Sequence, residues 1–180
     1  MGITTDLSAI LNTARVSGND ISNCNAGGTN PFTTGAICIP QANTDLCVHG
    51  NRLINNHGTG MVLSMFSSGT LNTSLRLRVQ DNSQDGGDQS HSLVEAAGNS
   101  IQFTGNQGQQ SQGGDLGVNL LGQLIVVNGN TVTGGAISFF LRALSGTAIA
   151  IVTSNIVSGA TAAIQTVGFG QTQIVNNLST

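Results

Sequence analysis

Two arginines and two aspartates in the middle of this sequence have types and spacing that could do chemistry. Arg76 and Arg78 alternate with leucines, so both project from one side of a strand, and Asp81 and Asp85 follow closely. Guanidinium groups beside carboxylates can bind an anionic substrate while a neighbouring group moves a proton. Surface ion pairs produce the same pattern, and we favour that interpretation.

The segment that begins at Asp81 also matches the first half of a calcium-binding loop. Asp81, Ser83 and Asp85 place oxygen ligands at alternate positions before Gly86. The twelfth position of such a loop should be an acid, but here it is Ser92. We therefore expect no cofactor and a solvated acidic loop, with calcium bound by Asp81, Ser83 and Asp85 as the alternative.

A repeated phrase indicates the elements that position these residues. It consists of Asn, any residue and an aliphatic residue, usually after Gly, and it predicts backbone bends at Asn19, Asn51, Asn99, Asn130, Asn155 and Asn176. The spacings lie in the twenties to low thirties, except that the gap between Asn51 and Asn99 is wide enough for two coils. Such a period indicates a stacked β-solenoid. Asn and Gly tolerate the left-handed backbone of a bend, and stacked Asn side chains can hydrogen-bond from coil to coil.

Three of these phrases carry a resemblance to a known family. The segments GNRLINNHGTGMVL from Gly50, GNTVTGGAI from Gly129 and SNIVSGA from Ser154 resemble the parallel β-helix repeats of the pectate-lyase-like superfamily. FTGN at Phe103 and GGAI at Gly134 are similar to repeats of chlamydial polymorphic outer-membrane (autotransporter) passengers, although each occurs once. The first resemblance covers most of residues 18–180 and implies an all-β, single-stranded, right-handed parallel β-helix. It implies fold rather than activity, because the superfamily includes lyases, hydrolases, adhesins and inert spacers.

The chain is expected to form one domain over residues 1–180. Residues 1–15 are predicted to contain a short N-terminal capping helix, because apolar residues from Ile3 to Ala14 fall on one helical stripe. Residues 16–180 are predicted to form the coils. Polar, Gly-rich stretches predict loop excursions at 23–40, 81–92 and 107–115.

Composition excludes some classes of protein. Only 7% of residues are charged and the net charge is −3, so nucleic acid is not expected as a partner. No apolar run is long enough for a membrane helix, and the first residues do not match a signal peptide. Cys24, Cys38 and Cys47 lack zinc-ligand spacing, which leaves open one disulfide or three buried thiols. The absence of Trp and Tyr weighs against a sugar-binding enzyme groove.

The sequence predicts architecture more strongly than activity. We expect a non-enzymatic, secreted or cell-surface bacterial segment with a structural or adhesive role, which binds a glycan or a host-surface ligand. The alternative that the resemblance implies is a lyase or glycoside hydrolase of acidic polysaccharides, using Arg76, Arg78, Asp81 and Asp85. Asn43-Thr44-Asp45 resembles an element of polygalacturonase-like hydrolases, but no Asp pair follows one coil later, so we attribute it to chance. A third hypothesis is a phage tail-fibre or tailspike segment, which would require a trimer.

The last strand-forming stretch leads to an expectation about assembly. Gln173 to Leu178 reads as a strand and a bend, followed by only two residues. The predicted inner residues of that coil would be uncovered, and exposed strand edges template further pairing. We therefore expect either further coils in a longer protein or a partner subunit, including another copy, over Ile174 and Leu178.

Overall fold

The described part of the chain folds into a parallel β-solenoid of strands and bends. The computed structural model describes residues 2–4, 11–24, 35–41, 43–56, 59–64, 66–67, 70–71, 73–85, 92–109 and 116–180. None of these residues is helical. The predicted all-β, parallel β-solenoid fold is therefore confirmed, and its right-handedness stays a prediction.

Each coil passes through three flat faces. A twelve-stranded sheet folds around a corner to form the first and second faces, and a seven-stranded sheet forms the third. The first face consists of β1 (Ile3–Thr4), β4 (Gly35–Ile39), β7 (Thr59–Leu63), the first parts of β12 (Val94–Thr104) and β14 (Leu116–Asn128), β16 (Ile137–Ala143) and β19 (Ala162–Val167). The second face consists of β2 (Leu11–Ser17), β5 (Asn43–His49), β10 (Ser74–Gln80), the second parts of β12 and β14, β17 (Ile149–Thr153) and β20 (Gln171–Val175). The third face consists of β3 (Asp20–Ser22), β6 (Arg52–Ile54), β11 (Ser83–Asp85), β13 (Gln107–Gln109), β15 (Thr131–Thr133), β18 (Ile156–Ser158) and β21 (Leu178–Ser179).

Pairing between coils is parallel and in register for every strand that the structure describes. Val126 lies opposite Ile151 in a parallel ladder, for example. The described strands that pair antiparallel are the short hairpin β8 (Phe66–Ser67) and β9 (Thr70–Leu71), which is inserted between β7 and β10. Parallel in-register pairing stacks each residue on its equivalent, so one type of side chain can fill the same position in every coil.

The core consists of such stacked columns. Strand alternation points every second residue inward, and one column of the second face contains Val16, Val48, Val79, Phe103, Val127 and Val152. These side chains are at most 9% exposed. The Phe103 ring also meets Phe139 of the first face edge-on, with ring centroids 6.3 Å apart, so the faces share one core.

A ladder of asparagines runs along the solenoid at the bend between the second and third faces, and its members are buried except at the two ends, Asn19 and Asn177, which are partly exposed. It contains Asn19, Asn51, Asn82, Asn106, Asn130, Asn155 and Asn177. In each step the backbone N–H and the side-chain Nδ2 of one Asn both donate to Oδ1 of the next. At Asn130 these distances to Asn155 Oδ1 are 3.0 and 2.8 Å. The same Nδ2 donates to Phe103 O, so the ladder also satisfies a strand carbonyl of the preceding coil.

The residue before each ladder asparagine has a left-handed backbone. These residues are Gly18, Gly50, Asp81, Gly105, Gly129, Ser154 and Asn176, with φ between +52° and +67°. Gly is free of strain in this region, and Asn and Asp tolerate it better than other residues. The bend signal is therefore a left-handed residue followed by Asn.

Two of the six predicted bend residues occupy other positions. Asn99 is exposed in the middle of β12, because Gly98 before it marks the corner between the first and second faces. A Cβ at Gly98 would approach Ser74 O at 3.2 Å, so close packing favours glycine at this position. Asn176 is the left-handed residue of its bend (φ +54°), and the ladder position belongs to Asn177. The structure places Asn19, Asn51, Asn130 and Asn155 in the ladder, as predicted.

The predicted N-terminal helix is wrong for the residues that the structure describes. Ile3–Thr4 and Leu11–Ser17 are strands that pair with β4 and β5, and residues 5–10 lie outside the described residues. Ala14 and Val16 stack inward on Leu46 and Val48. Pairing with an available strand edge outweighs the weak helical stripe of this segment.

The predicted loop excursions overlap strands of the coils. β4 lies inside 23–40, β11 inside 81–92 and β13 inside 107–115. The last two are hard to recognise in the sequence because β11 and β13 are three residues long and present polar side chains outward. The remaining parts of these excursions that fall at 25–34, 86–91 and 110–115 lie outside the described residues.

Candidate functional site

A cluster of Asp45, Arg76 and Arg78, here called the Arg–Asp cluster, lies on the outer surface of the second face. Arg76 on β10 stands directly opposite Asp45 on β5. The intervening Leu46 and Leu77 are fully buried, so strand alternation holds the polar side chains outward. The cluster is thus fixed by two adjacent strands of the rigid scaffold.

One carboxylate forms ion pairs with two guanidinium groups in this cluster. Arg78 Nη2 donates to both oxygens of Asp45, at 3.0 and 2.9 Å. Arg76 Nη2 is 3.8 Å from Asp45 Oδ2, and the Arg76 side chain is 63% exposed. Arg78 Nε is buried and has no hydrogen-bond partner. The cluster therefore has an excess of positive charge and unused N–H donors.

The surroundings of the cluster increase this charge. One column of outward-facing residues on the second face contains Arg78, Cys47 and Arg15 in successive coils. Three of the five arginines in the chain therefore lie on this face. A depression of about 220 Å³ adjoins Arg76, Ser100 and Gln102. A second one of about 380 Å³ lies between Arg15 and Arg78. A shallow, positively charged surface of this kind suits an extended anion better than a small enclosed ligand.

The structure separates the four residues for which chemistry was predicted. Arg76 and Arg78 lie together, as their alternation requires. Asp81 lies at the bend, where its Oδ2 is 3.4 Å from His49 Nε2. Asp85 lies on the third face. Asp81 is about 16 Å along the strand direction from Asp45 at the usual rise per residue, which is wider than the carboxylate pairs of glycosidases.

The predicted calcium ligands also diverge. Ser83 and Asp85 alternate with Gln84 on β11, whereas Asp81 precedes them in the left-handed bend. A Cβ at Gly105 would meet Asp81 Oδ1, so this carboxylate leans toward the next coil. Among the described residues no three His, Cys, Asp or Glu side chains gather as they would around a metal ion.

Asp45 is the site residue that sequence reasoning missed. Its tripeptide, Asn43-Thr44-Asp45, is not followed by a second aspartate one coil later, so the sequence alone does not single it out. The available signal was the coil spacing: Asp45 and Arg78 are 33 residues apart, close to the 31 and 32 of the neighbouring ladder steps. Opposite charges at that separation are expected to meet on one face.

A second polar cluster is buried on the outer side of the first face. Glu95 is 5% exposed and accepts hydrogen bonds of 2.5 Å from Ser92 Oγ and from Asn119 Nδ2. Burial raises the pKa of the Glu95 carboxyl above its ordinary value of 4.5, and the two hydrogen bonds and the charge of Arg142 oppose the shift only in part. Oδ1 of Asn119 is buried without a partner, so it can accept a hydrogen bond from a protonated carboxyl after a small rearrangement.

The raised pKa of Glu95 predicts a pH dependence of stability. The folded state holds this proton more tightly than the unfolded state, so the protonated carboxyl contributes stability below about pH 4.5, and the contribution is lost as pH rises through the raised pKa. Glu95→Gln should remove that loss, and its advantage over the wild type should grow from pH 4 to pH 7 in urea unfolding. Ser92→Ala should move the loss to higher pH. Parallel stability curves for wild type and Glu95→Gln would contradict the assignment.

None of the three cysteines forms a disulfide. Cys24 and Cys38 are buried, and Cys47 is partly exposed beside the Arg–Asp cluster. Burial raises the pKa of the Cys38 thiol to about 11. This favours the unreactive thiol over the thiolate.

These observations define the class of the protein as a parallel β-solenoid with a positively charged outer face. Comparisons of the chain with protein-family models, with curated proteins and with solved structures return no match. Within the described part of the chain, no helix has the length and apolar character needed to cross a membrane.

Proposed function

We propose that this chain is a non-enzymatic, secreted or surface-displayed solenoid of the pectate-lyase-like architecture, with an adhesive role. In this proposal the second face binds an acidic glycan of the cell surface or matrix. The observation that carries the proposal is the excess of positive charge in the Arg–Asp cluster, where two guanidinium groups share one carboxylate. A carboxylate or sulfate of the glycan would take the donors that Asp45 leaves free.

The distribution of carboxylates supports binding over catalysis. Acid–base cleavage of a glycosidic bond needs two carboxylates that face one sugar. In the described residues Asp45 lies on the second face, Asp81 at a bend, Asp20 and Asp85 on the third face, and Glu95 on the outer side of the first. A lyase would need only one base and a charge-neutralising group, so activity is an outcome that the binding test should measure.

Binding to a polyuronate is expected to depend on Arg76 and Arg78. The double variant Arg76→Gln, Arg78→Gln should bind about tenfold more weakly in affinity electrophoresis at low salt, because two exposed charge-assisted contacts are lost. Asp45→Asn should bind about threefold more tightly, because the competing carboxylate loses its charge. Binding of the wild type should fall with added salt.

Arg52→Gln provides the matched control. Arg52 is as exposed as Arg76, at 63%, but lies on the third face, 3.4 Å from Asp20. It should leave polyuronate affinity within about twofold of the wild type, within the effect of a single surface charge. Equal losses in Arg52→Gln and in the double variant would show non-specific charge attraction and refute the assigned site. Release of unsaturated or reducing ends, monitored in the same samples, would replace the adhesive role by an enzymatic one.

A further inference from the structure

The coil formed by β19, β20 and β21 is paired on one side only within the described residues. Its strands pair with β16, β17 and β18 respectively. Ile174 stacks inward on Val152, yet Ile174 is 45% exposed and Val152 is fully buried. At the opposite end of the solenoid, β1, β2 and β3 likewise each have one described neighbour. We call these coils the last coil and the first coil.

The last coil lacks the residues that usually prevent strand edges from pairing. Natural edge strands are commonly protected by charged side chains or proline. The sequence contains no Asp, Glu, Lys, Arg or Pro after Arg142. β20 instead presents Gln, Thr, Ile and Val along its free edge, which is a composition that favours further parallel pairing.

The asparagine ladder gives the two ends complementary hydrogen-bonding groups. Every ladder Asn before Asn177 donates its backbone N–H and Nδ2 to the next Oδ1. No Oδ1 follows Asn177 among the described residues, so its N–H lacks the acceptor that all other ladder positions have. Asn19 Oδ1, at the other end, accepts from no described residue. Within the described coils, donors thus remain on the last coil and an acceptor remains on the first.

Continuing the observed register brings all three faces into contact at once. Following the pairs from coil to coil places Val16 of a second copy over Ile174, Arg15 over Gln173, and Asn19 over Asn177. On the first face the same translation places Ile3 over Ile164. On the third face it places Ile21 over Ser179.

We propose that copies of this chain associate head to tail, with the first coil of one copy stacked in register on the last coil of another. The Asn19 Oδ1 of one copy accepts from the N–H and Nδ2 of Asn177 in the other, which extends the ladder across the junction. Contact between two last coils would set donors against donors. The complementary contact is therefore heterologous, and repeated translation gives an open filament rather than a closed dimer. This inference does not rest on glycan binding, since the junction is formed by the two end coils of the solenoid.

The test is sedimentation velocity of the 180-residue chain over a concentration series. The wild type should form a ladder of elongated species whose mean mass keeps rising with concentration. Ile174→Lys should lower the association constant more than about 100-fold, because it places an uncompensated charge in the junction core. Ile156→Lys is the matched control: Ile156 is also 45% exposed, but it points outward on the third face. It should associate as the wild type does.

The register can be tested at Gln173, which the proposal places opposite Arg15 of the next copy. Gln173→Glu should strengthen association about threefold at low salt and Gln173→Lys should weaken it by a similar factor, as expected for charges directly opposite across parallel strands. Arg15→Glu combined with Gln173→Lys should restore it. The proposal would be overturned if the chain stays monomeric at all concentrations or if its mass stops rising at the dimer. Equal effects of Ile174→Lys and Ile156→Lys would also overturn it, as would failure of the charge reversal to restore association.

Discussion

Replacing Asn130 with alanine is expected to lower the free energy of unfolding by about 3 kcal/mol, because several buried polar groups lose their partners together. Asn130 is 1% exposed. Its Oδ1 accepts from the N–H and Nδ2 of Asn106, and its Nδ2 donates to Phe103 O and to Asn155 Oδ1. Water cannot replace these bonds without entering the core. Chemical denaturation followed by circular dichroism measures the change.

Asn99→Ala is the matched control for the ladder. Asn99 follows a glycine and precedes a stretch with a buried isoleucine, as Asn130 precedes a buried valine, but its side chain points to solvent. Its replacement should change stability by no more than about 0.5 kcal/mol, the usual effect of a surface substitution. Similar losses of stability in Asn99→Ala and Asn130→Ala would show that the hydrogen bonds of the ladder stabilise the fold no more than a surface side chain does.

The ladder shows how far local sequence can predict this fold. Asn followed two residues later by an inward aliphatic residue identified most coils. The phrase failed at Asn82 and Asn106 because their inward positions hold Gln84 and Gly108. At Gly108 the space is filled from the first face, since a Cβ there would lie 2.7 Å from Leu93 Cδ1. A local sequence pattern does not show which residue lies across the core, so the Asn phrase does not identify these two coils.

The candidate site was predictable in part for the same reason. Alternation within one strand correctly placed Arg76 and Arg78 on one side, because strand geometry is local. The assignment of Asp81 and Asp85 to the same group failed, because a bend lies between the strands and turns the chain onto another face. The true partner, Asp45, comes from the preceding coil. Its recognition requires the register, which follows from the ladder and not from sequence proximity.

Removal of one whole coil is expected to leave a folded protein. The ladder spacing is 24 residues on both sides of Asn106. Deleting residues 93–116 removes one such period and joins Ser92 to Gly117. Met61 then lies under Val118, Leu77 under Ile125 and Asn82 under Asn130, because the deleted residues stood between these pairs in register. The stability of a solenoid is approximately a sum over coils and their interfaces, so the shortened chain should remain cooperative but less stable.

A deletion of the same length at another place isolates the packing inside each coil. Deleting residues 106–129 keeps the ladder register, with Gly105 joined to Asn130, but it places Leu93 and Val132 in one coil. In the intact chain Leu93 packs against Gly108 of its own coil. Val132 lies in the next coil, where Gly117 occupies the position equivalent to Leu93. Two large side chains would then compete for one space. This variant should be about 1–3 kcal/mol less stable than the first deletion, as overpacked cores are.

Urea unfolding of the 93–116 deletion, followed by far-ultraviolet circular dichroism, tests the central claim that equivalent coils stack in parallel register. The account predicts a β-type spectrum, a single cooperative transition, and a midpoint above that of the 106–129 deletion. A shortened chain that is unfolded, or whose midpoint lies at or below that of the 106–129 deletion, would contradict it.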